Sequence, residues 1–202
     1  MIAAPPKPRP RRSGSAALSM GSIAMPQLIA PDPRVRLSFI AAMEEFAAEG
    51  RGEDGDDTIL GRHMRQYGRL WPDPDGFRQF TRCLLDDAKE TTPRLEGWVP
   101  ATTMWWVEGE EFLGRIGIRH RLTSFLLASG GHIGYDMRPS ARRRGHATAM
   151  LRAALPVARA LGIESALLTC DVTNLASRKV IEACGGVFED ERDGLLRFWV
   201  PT

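Results

Sequence analysis

Cysteine is scarce in this chain of 202 residues, and its three copies, Cys83, Cys170 and Cys184, lie far apart. None belongs to a CxxC pair or to a cluster with histidine, so the sequence predicts neither a zinc site nor any other metal centre. Free thiols in a reducing compartment are the simplest interpretation of this usage. We therefore expect a cytoplasmic protein that binds no metal ion.

Long apolar runs and a large excess of charge are also missing. No apolar run approaches the roughly 18 residues that a membrane-spanning helix needs. The net charge of +2 implies no bulk attraction to nucleic acid or to a membrane surface. A local basic cluster, Arg142–Arg144, lacks interleaved aromatic residues, which leaves a nucleic-acid-binding domain as the weaker interpretation. We expect neither nucleic acid nor membrane as a partner.

The first 25 residues differ in composition from the rest of the chain. Four prolines alternate with basic residues there, and no acidic residue precedes Asp32. Such a segment buries too little apolar surface to fold, so we predict a disordered, basic, Pro-rich tail over residues 1–25. Residues 26–202, with hydrophobic residues at 43 % of the whole chain, are predicted to form one domain.

The predicted domain alternates between strand and helix patterns without an internal repeat. Strands are predicted at 27–30, 99–107, 111–120, 132–137, 163–170, 186–190 and 195–200. Helices are predicted from Asp32 to Gly50 and at 76–89, 145–161 and 175–184. The segments between them are interpreted as a mobile loop at 51–58, an ordered but irregular stretch at 61–75, and a short apolar turn at 121–131. This order predicts a mixed α/β sheet.

A basic turn at the start of the helix 145–161 is the most informative stretch. Three consecutive arginines run into Gly145, directly after the predicted strand 132–137. The first turn of a helix exposes unpaired backbone N–H groups and a partial positive charge. Because glycine allows a ligand to approach the backbone, the turn predicts a phosphate or pyrophosphate site. A solvated basic turn without a ligand is the alternative.

Two spaced motifs connect this turn to a known family. Arg142-x-x-Gly145-x-Ala147 resembles the (Gln/Arg)-x-x-Gly-x-(Gly/Ala) motif of the GCN5-related N-acetyltransferases, the GNAT family. About thirty residues later, Asn174-x-x-Ser177 starts a helix that ends at a Gly-Gly pair, as the family's fourth helix does. The resemblance is closest to the family's uncharacterised "predicted acetyltransferase" branch.

The resemblance implies a fold, a cofactor and a set of cofactor-binding residues. The implied fold is that of the acyl-CoA N-acyltransferases, with a mixed, mostly antiparallel central sheet flanked by helices and a splayed fourth and fifth strand. The implied cofactor is acetyl-CoA, the acetyl donor. The residues expected to bind it are Tyr135, Met137, Arg142, Arg143, Arg144, Gly145, His146, Ala147, Thr148, Asn174 and Ser177. For Asn174 a turn or N-cap role, and for Ser177 a plain helix-start role, are the alternatives.

The chain departs from the family where a proton donor and a base are expected. Ile181 stands where many members carry a tyrosine that protonates the leaving thiolate, and Gly131 stands where several carry a glutamate. The nearest titratable residues, Asp136 and His132, are therefore the candidate catalytic residues. His63, upstream of them, is expected either to contact the acceptor or to pack in the core, together with Tyr67 and Trp71.

These observations predict an acetyl-CoA-dependent N-acetyltransferase that transfers an acetyl group to a primary amine by direct attack. The sequence does not identify the acceptor, which is a small molecule, a peptide N-terminus or a lysine. A non-catalytic, acetyl-CoA-binding regulatory module is the alternative function. A homodimer and a monomer both remain open.

Overall fold

The computed structural model describes Met1 and residues 25–202, so the predicted tail falls almost wholly outside the described residues. The strands are β1 (Gln27–Ile29), β2 (Ala101–Glu108), β3 (Glu111–Arg119), β4 (Ile133–Met137), β5 (Ser165–Asp171), β6 (Val187–Arg192) and β7 (Leu195–Pro201). The helices are α1 (Arg36–Ala47), α2 (Ile59–Tyr67), α3 (Pro74–Asp86), α4 (Ser124–Ala128), α5 (His146–Ala160) and α6 (Leu175–Ala183).

The strands form two antiparallel sheets, ordered β1-β2-β3-β4 and β5-β7-β6. Strands β4 and β5 are edges of different sheets and form no ladder with each other. They meet just before β4, where the His132 N–H donates to the Leu167 carbonyl at 2.7 Å. The predicted mixed α/β fold, with a separated fourth and fifth strand, is confirmed. We call the space beyond this meeting point the β4–β5 gap.

Two helices lie where the sequence predicted an irregular stretch and a turn. Helix α2 is capped by Thr58, whose hydroxyl accepts from the Gly61 N–H at 3.1 Å, and α4 is capped in the same way by Thr123. Both predictions were wrong because α2 carries a glycine near each end and α4 is too short to show a helical period. A Cβ on Gly61 would lie 2.2 Å from the Asp56 carboxylate, so this glycine lets the preceding loop pack closely.

The core has two parts on opposite sides of the first sheet. An aromatic core lies under α1, α2 and α3 and includes Phe39, Phe46, Trp71, Phe77, Phe80, Trp105 and Phe112. An aliphatic core lies between the sheets and α5 and contains Trp106, the neighbour of Trp105 on the other face of β2. Trp71 is 5 % exposed, which confirms its packing role. Within the described residues, no helix has the length and apolarity needed to cross a bilayer.

Candidate active site

Helix α5 starts with an open turn at the mouth of the β4–β5 gap. Arg143 and Gly145 have φ values of 60° and 82°, and no side chain caps the helix. Within the described residues, the backbone N–H groups of residues 143–148 donate no hydrogen bond. A Cβ on Gly145 would meet no atom within 4 Å. A row of free donors therefore faces open space, as an anion site at a helix N-terminus requires.

The three arginines of this turn have different partners. Arg142 forms a bidentate pair with Glu49 of the α1 end, at 2.8 and 2.7 Å, and its Nε donates to the Met137 carbonyl at 3.1 Å. Arg143 and Arg144 are exposed and make no ion pair within the part of the chain that the structure describes. Arg142 therefore braces the turn, whereas the other two guanidinium groups are available to an anion.

His146, the first residue of α5, points its ring inward. Its Nδ1 accepts from Trp106 Nε1 at 3.3 Å, and its Nε2 is buried without a partner in the described structure. Ala147 and Thr148 are half-buried in the same turn. These three residues can therefore meet a ligand at the gap mouth through their backbone N–H groups.

The edge of β4 that faces β5 has unused backbone groups. The Arg119 N–H donates to the His132 carbonyl, and the Arg138 N–H donates to the Leu113 carbonyl. By this register the even-numbered residues of β4, Gly134 and Asp136, point their backbone groups to β3. Because backbone groups alternate along a strand, odd-numbered residues point theirs into the gap. Those residues are Ile133, Tyr135 and Met137. An amide-containing chain that enters the gap would find strand-like partners there.

On the other side of the gap, the predicted ligand residues Asn174 and Ser177 are engaged. The Asn174 side chain accepts from the Ser177 N–H at 3.0 Å and so caps α6. The Ser177 hydroxyl lies 2.9 Å from the Tyr135 hydroxyl across the gap. Burial raises the pKa of Tyr135 to about 12, so the phenol keeps its proton. Ile181 is fully buried in the aliphatic core and places no titratable group at the gap.

Asp136 is held by two guanidinium groups. Its Oδ1 lies 2.9 Å from Arg51 and its Oδ2 lies 3.3 Å from the buried Arg115. Arg51 also pairs with Asp56 at 3.1 Å and donates to Thr58 at 2.8 Å. These contacts tie the segment 51–58, predicted to be a mobile loop, to β4 near its C-terminal end. They also give Asp136 a structural role and do not support its predicted role as a base.

His132 joins the two sheets. Its Nδ1 accepts from the Leu167 N–H at 2.9 Å, next to the backbone bond between the same two residues. Burial lowers the pKa of His132, and the charge of Arg119 lowers it further, so the ring is neutral at pH 7. Because the Nδ1 lone pair is used, the contacts of His132 favour a structural role over the predicted catalytic one.

Two connected cavities lie beside the gap. The inner cavity, about 290 Å³, is lined by residues of β3 and β4 that include Arg115 and Tyr135. The outer cavity, about 710 Å³, lies between α2, the end of α3 and the segment 92–98. The residues common to both are Ile59, His63, Asp87 and Trp98. No sequence pattern indicated that Arg51, Arg115 or Asp87 would lie beside this site.

His63 lies at the junction of the two cavities and forms no hydrogen bond within the described structure. Its ring packs edge-on against Tyr67 and Phe80. Burial and the nearby charge of Arg115 lower the pKa of His63 to about 3. The structure thus brings His63 to the site, as one of the two sequence interpretations expected. No group of three His, Cys, Asp or Glu side chains in the described residues is placed to hold a metal ion.

Comparison with solved structures shows the same fold at low identity. A ribosomal-protein alanine acetyltransferase from Vibrio fischeri superposes with a TM-score of 0.59 at 13 % identity, over 90 % of this chain and 96 % of that one. RimJ from Mycobacterium smegmatis, solved with CoA-disulfide, gives 0.58 at 17 % identity, over 90 % and 88 %. The microcin C7 self-immunity acetyltransferase MccE, solved with acetyl-CoA and AMP, gives 0.55 at 12 % identity, over 88 % and 92 %.

Comparison of sequences identifies the family. No curated protein matches the chain. The family model described as the acetyltransferase (GNAT) domain matches residues 61–187, which is more than half of the chain. The matched range includes His63, the open turn and α6. The chain therefore belongs to the GNAT acetyltransferases, enzymes whose acetyl donor is acetyl-CoA.

Proposed function

We propose that this chain transfers the acetyl group of acetyl-CoA to a primary amine by direct attack on the thioester. The observation that carries the proposal is the row of free backbone N–H groups at residues 143–148, which opens onto the β4–β5 gap. A pyrophosphate bound at this turn would direct the rest of the cofactor along the free edge of β4. The name of the Vibrio fischeri acetyltransferase and the CoA-disulfide bound to the Mycobacterium smegmatis protein agree with this proposal, but their identities of 13 % and 17 % establish the fold alone.

In this proposal the cofactor-binding residues divide into three groups. Arg143, Arg144 and the N–H groups up to Thr148 bind the pyrophosphate, and Arg142 holds the turn in place through Glu49. The free backbone groups of β4 at Tyr135 and Met137 bind the pantetheine amides. Asn174 and Ser177 border the opposite side, where Asn174 caps α6 and Ser177 holds the Tyr135 phenol.

The chemistry requires an amine that is neutral and correctly placed. Acetyl-CoA supplies an activated acetyl group, so holding the two reactants in line provides much of the rate. A backbone N–H of β4 would donate to the thioester carbonyl oxygen, where negative charge develops as nitrogen attacks. Since Ile181 is buried and the contacts of Asp136 and His132 are structural, we assign no side chain as acid or base.

A substitution in the open turn tests this proposal. Gly145→Glu places a side chain and a negative charge where the pyrophosphate would bind, so acetyl-CoA should no longer raise the melting temperature. Gly162→Glu is the matched control, because Gly162 has a φ of 84° and the same open surroundings at the other end of α5. Both variants carry the same backbone strain, but only the first should lose the ligand-induced shift.

A second measurement, the release of CoA in the presence of a panel of amines, separates catalysis from plain binding. A regulatory module would bind acetyl-CoA without releasing CoA in the presence of any amine. An acetyltransferase releases CoA in proportion to acetylated product. If Gly145→Glu binds acetyl-CoA as tightly as the Gly162→Glu control does, the assignment of the turn is wrong.

A further inference from the structure

The inner cavity contains no free base of ordinary strength. Each titratable side chain lining it on β4 is engaged: Asp136 by two guanidinium groups and Tyr135 by Ser177. At the junction with the outer cavity, Asp87 lies 3.5 Å from the Arg94 guanidinium. This ion pair is the only polar contact of the Asp87 carboxylate within the described residues, and His63 there has no hydrogen bond. An acceptor that enters as an ammonium ion would have to lose its proton without a strong base beside it.

The charges around the inner cavity favour a neutral amine over an ammonium ion. Arg115 is 6 % exposed and Arg119 points its guanidinium to the Gly130 and Gly131 carbonyls, so two cations face the cavity from β3. The two carboxylates that line the same cavity are already paired with arginines: Asp136 is shared between Arg115 and Arg51, and Asp87 lies 3.5 Å from Arg94. Neither is therefore free to pair with an incoming cation. Desolvation and like charge both disfavour a cation in such a place.

The pKa of His63 shows how strongly these surroundings disfavour a positive charge. Its pKa falls to about 3 because it is buried and faces Arg115. Asp87, which lines both cavities, offers an opposing charge, but burial raises the pKa of that carboxyl and Arg94 lies beside it. An amine that passes His63 enters the same surroundings, so its own pKa would shift in the same direction. The site would deprotonate a weakly basic amine simply by admitting it.

We infer that the acceptor is the α-amine at the N-terminus of a peptide, not the ε-amine of lysine, and that it enters through the outer cavity. This inference rests on the proposed acetyl transfer. An α-amine has a reference pKa near 7.8, so about one molecule in seven is neutral at pH 7. A lysine side chain, with a reference pKa near 10.4, is neutral in only about one molecule in 2,500.

The outer cavity fits an acceptor that continues beyond its amine. At about 710 Å³ it is larger than the inner cavity and opens directly onto it at His63 and Trp98. Two exposed apolar side chains, Leu95 at 74 % and Trp98 at 43 %, lie along it. These surfaces would contact the residues that follow the reacting N-terminus, whereas a small amine would leave them uncovered.

Two matched peptide libraries test the inference. The first contains equimolar hexapeptides with a free N-terminus and no lysine, and the second contains N-terminally acetylated hexapeptides with one lysine. We expect acetylation of the first library at pH 7 to exceed that of the second by about 300-fold, from the ratio of neutral amine. Equal acetylation, faster lysine acetylation, or no acetylation of either library would overturn the inference.

The dependence of the rate on pH provides a second readout. For the best peptide, kcat/KM should level off near the pKa of the free amine, whereas kcat, which reports the bound state, should level off at lower pH.

His63→Gln should lower kcat by less than about tenfold and leave the midpoints of both pH profiles in place. If His63 were instead the base, this variant would lose about 10²–10⁴-fold.

Two controls keep this result separate from the proposed function. His120→Gln changes a histidine that bonds Thr102 and lines neither cavity, and it should behave as the unmodified protein does. Acetyl-CoA binding is measured in parallel by thermal shift. If acetyl-CoA binds normally but only a non-peptide amine is acetylated, the acceptor assignment is wrong and the acetyltransferase proposal stands. If acetyl-CoA does not bind, both proposals are wrong.

Discussion

Two strand-to-helix corners border the β4–β5 gap, and they are held in different ways. At the β5–α6 corner the contacts are local: the Asp171 carboxylate accepts from the Thr173 N–H at 2.7 Å, and Asn174 caps α6 three residues on. At the β4–α5 corner they are distant: Arg142 binds Glu49, and Asp136 binds Arg51 in a loop 85 residues earlier. At the first corner, nearby side chains accept hydrogen bonds from the backbone N–H groups. At the second corner, the backbone N–H groups at the start of the helix have no such acceptor in the described structure.

This difference shows how a helix N-terminus is kept open for a ligand. A side-chain cap stabilises a helix by using the N–H groups that an anion would need. Long-range ion pairs fix the same position through side chains and use none of those groups. The structure thus places local caps on α2, α3, α4 and α6 and bracing from a distance on α5.

The largest expected effect comes from breaking the distant bracing. Asp136→Asn removes the charge between Arg51 and the buried Arg115, which leaves a guanidinium unpaired in the interior. We expect a loss of about 3 kcal/mol in the free energy of unfolding, measured by urea denaturation. Asp171→Asn, an exposed carboxylate of the locally held corner, should leave the urea midpoint nearly unchanged. Similar midpoints for the two variants would contradict the contrast.

An intermediate loss of stability is expected from substitution of His132, which connects the sheet of β4 to the sheet of β5. His132→Ala at pH 8 leaves the buried Leu167 N–H without its partner, at a cost of about 2 kcal/mol in unfolding free energy. Because the folded pKa of His132 lies below the unfolded value of about 6.5, stability is complete above pH 6.5. It is lost as the pH falls from 6.5 through the folded pKa, since only the unfolded chain binds the proton there.

The measurement for His132 is a series of urea curves between pH 8 and pH 5. The unmodified protein should lose stability across this range, and His132→Asn, which cannot titrate, should show a flatter profile. His63, with its pKa lowered to about 3, adds a loss of the same sign, so His63→Gln serves as the reference for the remaining slope. Parallel profiles for the protein and the His132→Asn variant would show that this ring does not couple to folding.

The smallest effect should come from removing the local cap. Asn174→Ala deletes the acceptor for the Ser177 N–H and should cost about 1 kcal/mol in unfolding free energy, with a smaller loss of acetyl-CoA affinity than a substitution in the open turn causes. Arg143→Ala, at the open corner, should show the reverse pattern, with unchanged stability and weaker acetyl-CoA binding. Thermal melts with and without acetyl-CoA measure both quantities for each variant.

The locally held corner could be predicted from sequence because its contacts lie within a few residues. The Asn174-x-x-Ser177 spacing and the Gly-Gly stop placed α6 to within a residue of its observed end, and the N-cap role was one of the two interpretations of Asn174. The β2–β3 and β6–β7 hairpins were predicted for the same reason, since their turns and strands are contiguous.

The distantly held corner could be predicted only in part. The strand, the arginines and Gly145 marked the turn, but no local pattern pairs Asp136 with Arg51 or Arg142 with Glu49. Asp136 therefore resembled a free carboxylate and a candidate base, although its environment is set by residues 21 and 85 positions away. The same limitation hid α2, whose start depends on a hydrogen bond from Gly61 to Thr58 and on close packing against Asp56.

The separation of β4 from β5 also affects how the folded protein resists degradation. Two sheets that share the His132–Leu167 contact but no ladder can open from each other at lower cost than strands within one sheet. A cofactor that bonds both edges would act as the missing strand and couple the sheets into one unit. Each tenfold rise of acetyl-CoA above its dissociation constant adds about 1.4 kcal/mol to the stability of the closed form. Protease resistance, and with it the lifetime of the enzyme, would then follow the supply of its acetyl donor.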